Sequence, residues 1–303
     1  MSSHISVLLD PILAQLLPAA RVIDGTAGAG GHSAALLAGG AESLLAFDLD
    51  PTAITLATER LAPFGDRARV LHASYGDMRE AAETHDWGDG VDAILLDLGV
   101  SSMQFDHGER GFSFRTEAPL DMRFDPTSTQ PSAADLVNTL PVDELADVIY
   151  RYGEERESRR IARAIVKARP ILTTTALAAT IEKVMPRHGD PIHPATRTFQ
   201  ALRIAVNDEL GTIERALPTA LDLLRAGGHL AVISFHSLED RIVKDAFKLA
   251  ATDCICPPRM PVCVCGHDAT VKLITRKPIV ADEAEIAHNA RSRSAKLRIV
   301  EKL

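Results

Sequence analysis

Four short apolar segments, separated by stretches with helical spacing, constrain how the first hundred residues can fold. They lie at 21–24, 43–47, 69–72 and 91–96. Strands that are apolar on both faces and alternate with helices are typical of a parallel sheet covered on both sides. Pro51, just after the second segment, suits the first turn of a helix. The sequence therefore predicts an α/β fold built on a doubly wound, mostly parallel sheet.

The middle of the chain follows a different pattern. Residues 105–124 are polar and lack a clear period, whereas 133–206 have helical spacing almost throughout. The α/β alternation returns after 207, with further strands expected at 229–234, 271–274 and 296–300. We therefore predict seven strands and three segments: 1–105 and 207–303 form the sheet domain, and 106–206 form an inserted, all-helical substrate-recognition domain.

Composition limits the classes of function. With 46% hydrophobic and 24% charged residues, the chain is expected to be globular. It has no basic leader and no apolar run of ~20 residues, so we expect a cytoplasmic protein that does not enter the membrane. Its net charge of −8 argues against tight, nonspecific binding to naked nucleic acid. Two basic clusters stand out against this background, and both are candidates for contacting phosphate: Arg159, Arg160, Arg163, Lys167 and Arg169, and Arg291, Arg293, Lys296 and Arg298.

A glycine-rich turn between the first strand and the first helix suggests an adenosine cofactor. The segment 24–33 reads DGTAGAGGHS, and Asp48 follows Gly30 by 18 positions, at the end of the second strand. Glycines allow the backbone to approach a ligand, and a carboxylate at this spacing accepts hydrogen bonds from ribose hydroxyls. Asp24, just before the turn, would repel a pyrophosphate but suits a cationic sulfonium. The alternative is a glycine-rich turn without a ligand.

Six longer motifs extend this pattern over most of the chain. They are 97–104 (DLGVSSMQ), 110–114 (RGFSF), 119–123 (PLDMR), 198–204 (TFQALRI), 234–241 (SFHSLEDR) and 289–298 (NARSRSAKLR). Together they resemble the bacterial 16S ribosomal RNA cytosine-N4 methyltransferases, from residue 4 to residue 298. The resemblance implies a class I, Rossmann-like methyltransferase sheet with an inserted helical domain. It also implies S-adenosylmethionine as methyl donor and, as target, the N4 amino group of a cytidine in the decoding region.

The resemblance assigns the cofactor-binding residues. Gly30, Gly31 and His32 correspond to the loop around the cofactor's amino-acid tail, and Asp48 to the ribose ligand. Tyr75 lies where the family has an aromatic residue and would flank the adenine, although a half-buried surface aromatic is the alternative. Asp97 and Gln104 correspond to the remaining cofactor contacts.

Two residues are candidates for catalysis. Asp97 ends the fourth strand, where open α/β sheets place their chemistry. It would accept a hydrogen bond from the amino group of the cytosine, or it would serve only as a cofactor ligand. His236 follows the fifth strand and would contact the substrate or shuttle a proton, with a structural role as the alternative. Phe112, Phe114 and Phe235 would stack on a flipped base or pack in the core.

The expected partner is 16S rRNA in the assembled small subunit, because an acidic chain benefits there from shape and protein contacts. A homodimer is left open. The four cysteines Cys254, Cys256, Cys263 and Cys265 form two C-x-C pairs near His267 that would bind zinc, remain free thiols or form disulfides. We assign no metal ligand from the sequence. The rival functions are a nicotinamide-dependent oxidoreductase and a noncatalytic RNA-binding assembly factor.

Overall fold

The computed structural model describes residues 6–100, 108–185, 193–257 and 262–303. Its chain divides into two compact units. The sheet unit comprises Met1–Gly99 and Leu210–Leu303, and the helical unit comprises Val100–Glu209. The sequence prediction placed the two boundaries at 105 and 206.

The sheet unit contains a seven-stranded sheet in the order β3-β2-β1-β4-β5-β7-β6. Strands β1 to β5 are parallel to one another, and β7 is antiparallel to both β5 and β6. The order reverses between β1 and β4, which is where such sheets form a crevice for a ligand. The strands are β1 Arg21–Asp24, β2 Ser43–Asp48, β3 Ala68–His72, β4 Val91–Asp97, β5 Leu224–Ser234, β6 Val271–Leu273 and β7 Lys296–Lys302.

The fifth strand begins five residues before the predicted start. Leu224 pairs with Val91, and the register then shifts so that His229 pairs with Ala93. The intervening residues 225–228 include Gly227-Gly228, a pair that is typical of a helix stop. The preceding helix nevertheless ends earlier, at Leu223.

Helices cover both faces of the sheet. They are α1 Leu9–Leu16, α2 Gly31–Ala38, α3 Pro51–Leu61, α4 Met78–Thr84, α10 Glu209–Leu223, α11 Ser237–Ala250 and α12 Glu283–His288. Alternate residues of β4 feed two separate cores: Ala93 and Leu95 pack on the side of α1–α3, and Ile94 and Leu96 on the side of α4, α10 and α11. This is the doubly covered arrangement that the apolar strands predicted.

The helix that follows β2 begins as its sequence suggests. Asp50 caps α3, its side chain accepting a hydrogen bond from the Thr52 N–H at 2.9 Å, and Pro51 occupies the first turn. Such a cap stabilises a helix by about 1 kcal/mol. The cap fixes the chain direction immediately after Asp48, at the end of the second strand.

The helical unit contains α5 Ala133–Thr139, α6 Val142–Gly153, α7 Ser158–Ala168, α8 Thr174–Val184 and α9 Thr196–Asn207. Its core includes two of the motif phenylalanines that we had considered for base stacking. Phe112 is 6% exposed, and Phe114 packs against Phe199 with ring centroids 5.0 Å apart.

In the described part of the chain, no helix combines the length and apolarity that a membrane span needs.

Candidate active site

Three aspartates end neighbouring strands at one edge of the sheet. Asp24, Asp48 and Asp97 are the last residues of β1, β2 and β4, and these strands pair side by side in parallel. Because parallel strands share one carboxyl edge, the sheet brings together residues 73 positions apart in the sequence. The three carboxylates differ in burial and in hydrogen bonding, and these differences determine what each can bind.

The glycine-rich turn is tied to this edge by its backbone. The Gly25 N–H donates to the Leu95 carbonyl at 2.8 Å, and the Ala27 N–H to the Phe47 carbonyl at 2.7 Å. Gly30 precedes α2 with φ +74°, and a Cβ there would lie 3.2 Å from the Ala57 Cα. Gly28 has φ +52° and faces open space, since a Cβ there would meet nothing within 4 Å. The turn therefore leaves room beside Gly28 for a ligand.

Asp48 is positioned rigidly by the same turn. Its Oδ2 accepts from the Gly28 N–H at 2.8 Å, and its Oδ1 from the Asp50 N–H at 2.9 Å. Burial raises the pKa of Asp48 to about 6, although these backbone hydrogen bonds lower it. Each carboxylate oxygen retains a second lone pair, so the group can still accept hydrogen bonds from a diol.

Asp24 is enclosed by the protein. The residue is fully buried, and its Oδ2 accepts from the Ser33 hydroxyl at 2.6 Å, which links β1 to α2. Burial raises its pKa, against the lowering effects of Ser33 and His32. Its influence on a cation, which the sequence suggested, would act through its electric field, and only when it is ionised.

Asp97 is the least satisfied of the three carboxylates. Its backbone N–H donates to the Thr26 hydroxyl at 2.7 Å, which fixes the end of β4 against the glycine-rich turn. Its Oδ2 lies 3.6 Å from His32 Nδ1, and its Oδ1 is buried without a hydrogen-bond partner among the residues that the structure describes. Burial raises the pKa of Asp97 to about 6; His32 lowers it, and Asp24 and Glu239 raise it. A buried acceptor without a partner is unusual in a folded protein, which makes this oxygen a candidate for accepting a hydrogen bond from a ligand.

His32 is the residue whose side chain lies beside Asp97. Its Nε2 lies 2.9 Å from the Val7 carbonyl, which can only accept, so Nε2 bears a proton. Its Nδ1 then faces Asp97, and the side chain is only 7% exposed. The structure buries the His32 side chain beside Asp97, and its place in the loop around the cofactor tail stays a prediction. Gly31 is equally close-packed, since a Cβ there would lie 2.4 Å from the Ser6 hydroxyl.

Tyr75 lies on the other side of the glycine-rich turn. A Cβ on Gly25 would approach the Tyr75 Cβ to 2.8 Å, so the two backbones meet there. The ring is half-buried against the core that includes Ile94 and Leu96. This position is compatible with both sequence interpretations, a wall for an adenine and a surface aromatic. Gln104 lies outside the described residues.

His236 is a helix cap. It precedes α11, and its Nδ1 accepts from the Glu239 N–H at 3.4 Å, while its Nε2 lies 3.0 Å from Glu239 Oε1. Glu239 Oε2 in turn accepts from the N–H groups of Phe235, at 2.8 Å, and His236, at 3.2 Å. A Cβ on Gly99 would lie 3.6 Å from the Phe235 ring. His236 therefore follows the β5 end beside the turn after Asp97, with its ring next to the buried Glu239.

Sequence reasoning missed Glu239 and Thr26. Glu239 is fully buried and occupies the third position of α11, so the H-S-L-E spacing is that of a capping box. That spacing was available as a signal. Nothing in the sequence marked Thr26 as the residue that binds the Asp97 backbone, because the contact spans 71 positions.

The basic clusters are only partly exposed. On α7, Arg159, Arg160 and Arg163 are exposed, opposite the buried Ile161 and Ile165. Arg169 is not available to phosphate, because it donates to the Val137 carbonyl at 2.7 Å and the Leu140 carbonyl at 2.5 Å.

Arg203, and Arg298 of the second basic cluster, are also engaged internally. Arg203 forms a bidentate pair with the buried Glu209, at 2.7 and 2.9 Å. Arg298 pairs with Asp240 at 2.7 Å, which corrects the expectation that it faces phosphate. Both side chains are largely buried, at 14% and 10% exposure. Arg291 and Arg293 remain exposed at the C-terminal cluster.

A sheet of this order, with a glycine-rich turn after β1 and acids at the ends of β2 and β4, defines a class I, S-adenosylmethionine-dependent methyltransferase. The chain belongs to the MraW methylase family, whose model matches residues 1–303.

Curated relatives agree with this assignment. A protein of Citrifermentans bemidjiense named Ribosomal RNA small subunit methyltransferase H is 54% identical, over 99% of this chain and 98% of its own length. A protein of Geobacter sulfurreducens with the same name is 52% identical, over 99% of both. Among solved structures, an rRNA methylase from Streptococcus thermophilus is 13% identical with a TM-score of 0.44, over 97% of this chain and 93% of that one. The assignment depends on the family match and the relatives.

Proposed function

We propose that this protein is a small-subunit ribosomal RNA methyltransferase, and that it methylates the N4 amino group of a cytidine in the decoding region of 16S rRNA. Family membership and the relatives' names support the methylation of small-subunit rRNA. The single observation behind the finer proposal is the buried Asp97 Oδ1 at the end of β4, which has no hydrogen-bond partner in the described part of the chain. An amino group is one donor from which such an oxygen can accept.

The edge of the sheet fits S-adenosylmethionine. When bound, this cofactor supplies an electrophilic methyl group on a cationic sulfur. Asp48 would accept hydrogen bonds from the ribose, since the backbone already orients its carboxylate. The open side of Gly28 and the turn through Gly30 would receive the amino-acid tail, and Tyr75 would flank the adenine. Gln104 remains a proposed cofactor contact by family resemblance alone.

Asp97 would act on the cytosine amino group. The lone pair of this nitrogen is delocalised into the ring, so attack requires an acceptor that draws on the N–H as charge develops. A carboxylate with a pKa of about 6 is mostly ionised at neutral pH and can accept the hydrogen bond. His32 would attract the Asp97 carboxylate when its Nδ1 also bears a proton, because Nδ1 lies 3.6 Å from Asp97 Oδ2.

The cysteines favour the amino group over a ring carbon as the target. Methylation of cytosine at carbon requires a covalent nucleophile, usually a thiolate. All four cysteines of this chain lie between 254 and 265, and their sulfurs contact one another. No such nucleophile is needed for attack by nitrogen.

His236 remains the second candidate for contacting the substrate. Because its Nδ1 accepts from the Glu239 N–H, the proton of the neutral ring belongs on Nε2, which points to Glu239. We therefore propose that His236 positions the backbone at the end of β5 beside the base, and that it does not relay the reacting proton.

The exposed arginines of α7 and the pair Arg291 and Arg293 would contact phosphate. Because the whole chain is acidic, at −8, we propose that it acts on the assembled small subunit in the cytoplasm, where shape and protein contacts add to phosphate attraction.

Mass mapping of 16S rRNA tests the proposal. RNA from a deletion strain should lack one methyl group on a decoding-region cytidine. The purified chain with S-adenosylmethionine should restore it on small subunits from that strain, while an Asp97→Asn variant should not. A methyl group on ring carbon, or on another base, would refute the N4 assignment. Equal activity on protein-free 16S rRNA would refute the preference for the assembled particle.

A further inference from the structure

The loop between α11 and β6 gathers all four cysteines of the chain. Cys254 and Cys256 precede the undescribed residues 258–261, and Cys263 and Cys265 follow them. Their sulfur atoms all lie within 4.8 Å of one another. The separations are 3.5 Å for Cys254–Cys263, 3.9 Å for Cys256–Cys263, 3.5 Å for Cys263–Cys265 and 3.8 Å for Cys254–Cys265.

These separations match the edges of a coordination tetrahedron. With Zn–S bonds of about 2.3 Å, neighbouring sulfurs around a tetrahedral zinc ion are roughly 3.8 Å apart. All four thiols are free, and the spacings are far too long for disulfide bonds. We propose that Cys254, Cys256, Cys263 and Cys265 bind one structural Zn²⁺ ion.

The surrounding backbone also suits thiolate ligands. The Val264 N–H donates to the Cys256 sulfur at 3.4 Å, and the N–H groups of His267 and Ile255 donate to the Cys265 sulfur. Hydrogen bonds of this kind stabilise the negative charge that a metal-bound sulfur carries and orient the ligand. Binding of Zn²⁺ replaces the four thiol protons, which pass to the solvent.

His267 is not a ligand in this arrangement. Its Nε2 hydrogen-bonds to the Leu249 carbonyl at 3.0 Å, and the Thr270 N–H donates to the Ala250 carbonyl at 2.8 Å. These two contacts close the base of the loop against the end of α11. The site therefore consists of four sulfurs, which is the fully protein-ligated set typical of structural zinc.

The loop needs a bound metal ion to fix its conformation, because it buries few apolar side chains. Its apolar side chains point outward: Ile255 is 51% exposed, Val262 69% and Val264 70%. A short segment that cannot bury apolar surface is usually fixed by a disulfide or a metal ion. With the thiols free, the metal ion is the remaining means of fixing both C-x-C pairs.

Elemental analysis of the full-length chain, purified without chelator or added metal, tests the proposal. We expect about one zinc per chain, release of that zinc on titration of the thiols with a mercurial, and Co²⁺ absorption bands of a tetrahedral thiolate site after exchange. The Cys256→Ser/Cys265→Ser variant should lose at least ten-fold in bound zinc. The His267→Ala variant, with the neighbouring imidazole removed, should retain it.

The wild-type measurements keep the test decisive even if the cysteine variant fails to fold. Iron in place of zinc, or no stoichiometric metal after reconstitution with Zn²⁺, would overturn the proposal. So would fewer than four titratable thiols in denaturant without reductant, because that result would indicate disulfides.

Discussion

Replacement of Asp97 by Asn should stabilise the ligand-free protein while abolishing methyl transfer. The Asp97 carboxylate is 22% exposed, and within the described ranges one of its oxygens is buried without a hydrogen-bond partner. Asp24 and Glu239 add negative charge nearby. Asn has the same shape and removes the charge. Loss of a positioned proton acceptor typically lowers a rate by roughly 10²- to 10⁴-fold.

The size of the stability gain follows from the pKa. A rise in the pKa of Asp97 from 3.8 to about 6 means that ionising this group costs the folded state about 3 kcal/mol at neutral pH. Partial exposure makes this an upper limit. The penalty is complete above the folded pKa. It shrinks as the pH falls from about 6 to about 4, because the folded state takes up its proton before the unfolded state does. The advantage of Asn should therefore disappear near pH 4.

Urea unfolding followed by the fluorescence of Trp87 is the appropriate assay. Trp87 is the only tryptophan of the chain and packs in the sheet unit, as Asp97 does. Asp89→Asn is the matched control, since it removes the same charge from an exposed carboxylate that pairs with Arg21 and Arg225. It should bring no gain. An Asp97→Asn variant no more stable than wild type at pH 7.5, or a gain that persists at pH 4, would refute the reasoning.

Three further outcomes follow. Gly30→Ala should destabilise the sheet unit by about 1–3 kcal/mol in urea and weaken S-adenosylmethionine binding. Gly65→Ala, also at positive φ but outside the glycine-rich turn, should lower the stability as well while leaving the binding unchanged. Asp48→Ala should lower the affinity for S-adenosylmethionine at least ten-fold by calorimetry, about 1.4 kcal/mol, and unchanged affinity would remove Asp48 from the site. Arg203→Ala should destabilise the helical unit by about 3–5 kcal/mol, because the buried Glu209 carboxylate would lose the guanidinium that forms two hydrogen bonds to it. Hydrogen exchange in α9 would measure this, and unaltered protection would contradict it.

The sheet could be predicted from sequence because its signals are local. Apolar strands such as 91–96 contain their own pattern, and the acid that ends each strand marks the functional edge. The start of β5 could not be predicted, since the residues around Gly227 resemble a helix stop and the pairing of Leu224 with Val91 is a tertiary contact. The same limit applies to Arg169 and Arg203: a run of basic residues does not indicate which members are used internally.

The sequence predicted which acids meet at this edge, but not their surroundings. It places Asp24, Asp48 and Asp97 each at the end of a parallel strand. Hydrogen bonding then distinguishes them: Asp24 is enclosed with Ser33, Asp48 is fixed by backbone N–H groups, and Asp97 has a buried oxygen without a hydrogen-bond partner among the described residues. An unpaired acceptor is costly in the free protein, and a ligand that donates to it relieves that cost. We therefore propose the chemistry at Asp97 rather than at the two acids beside it.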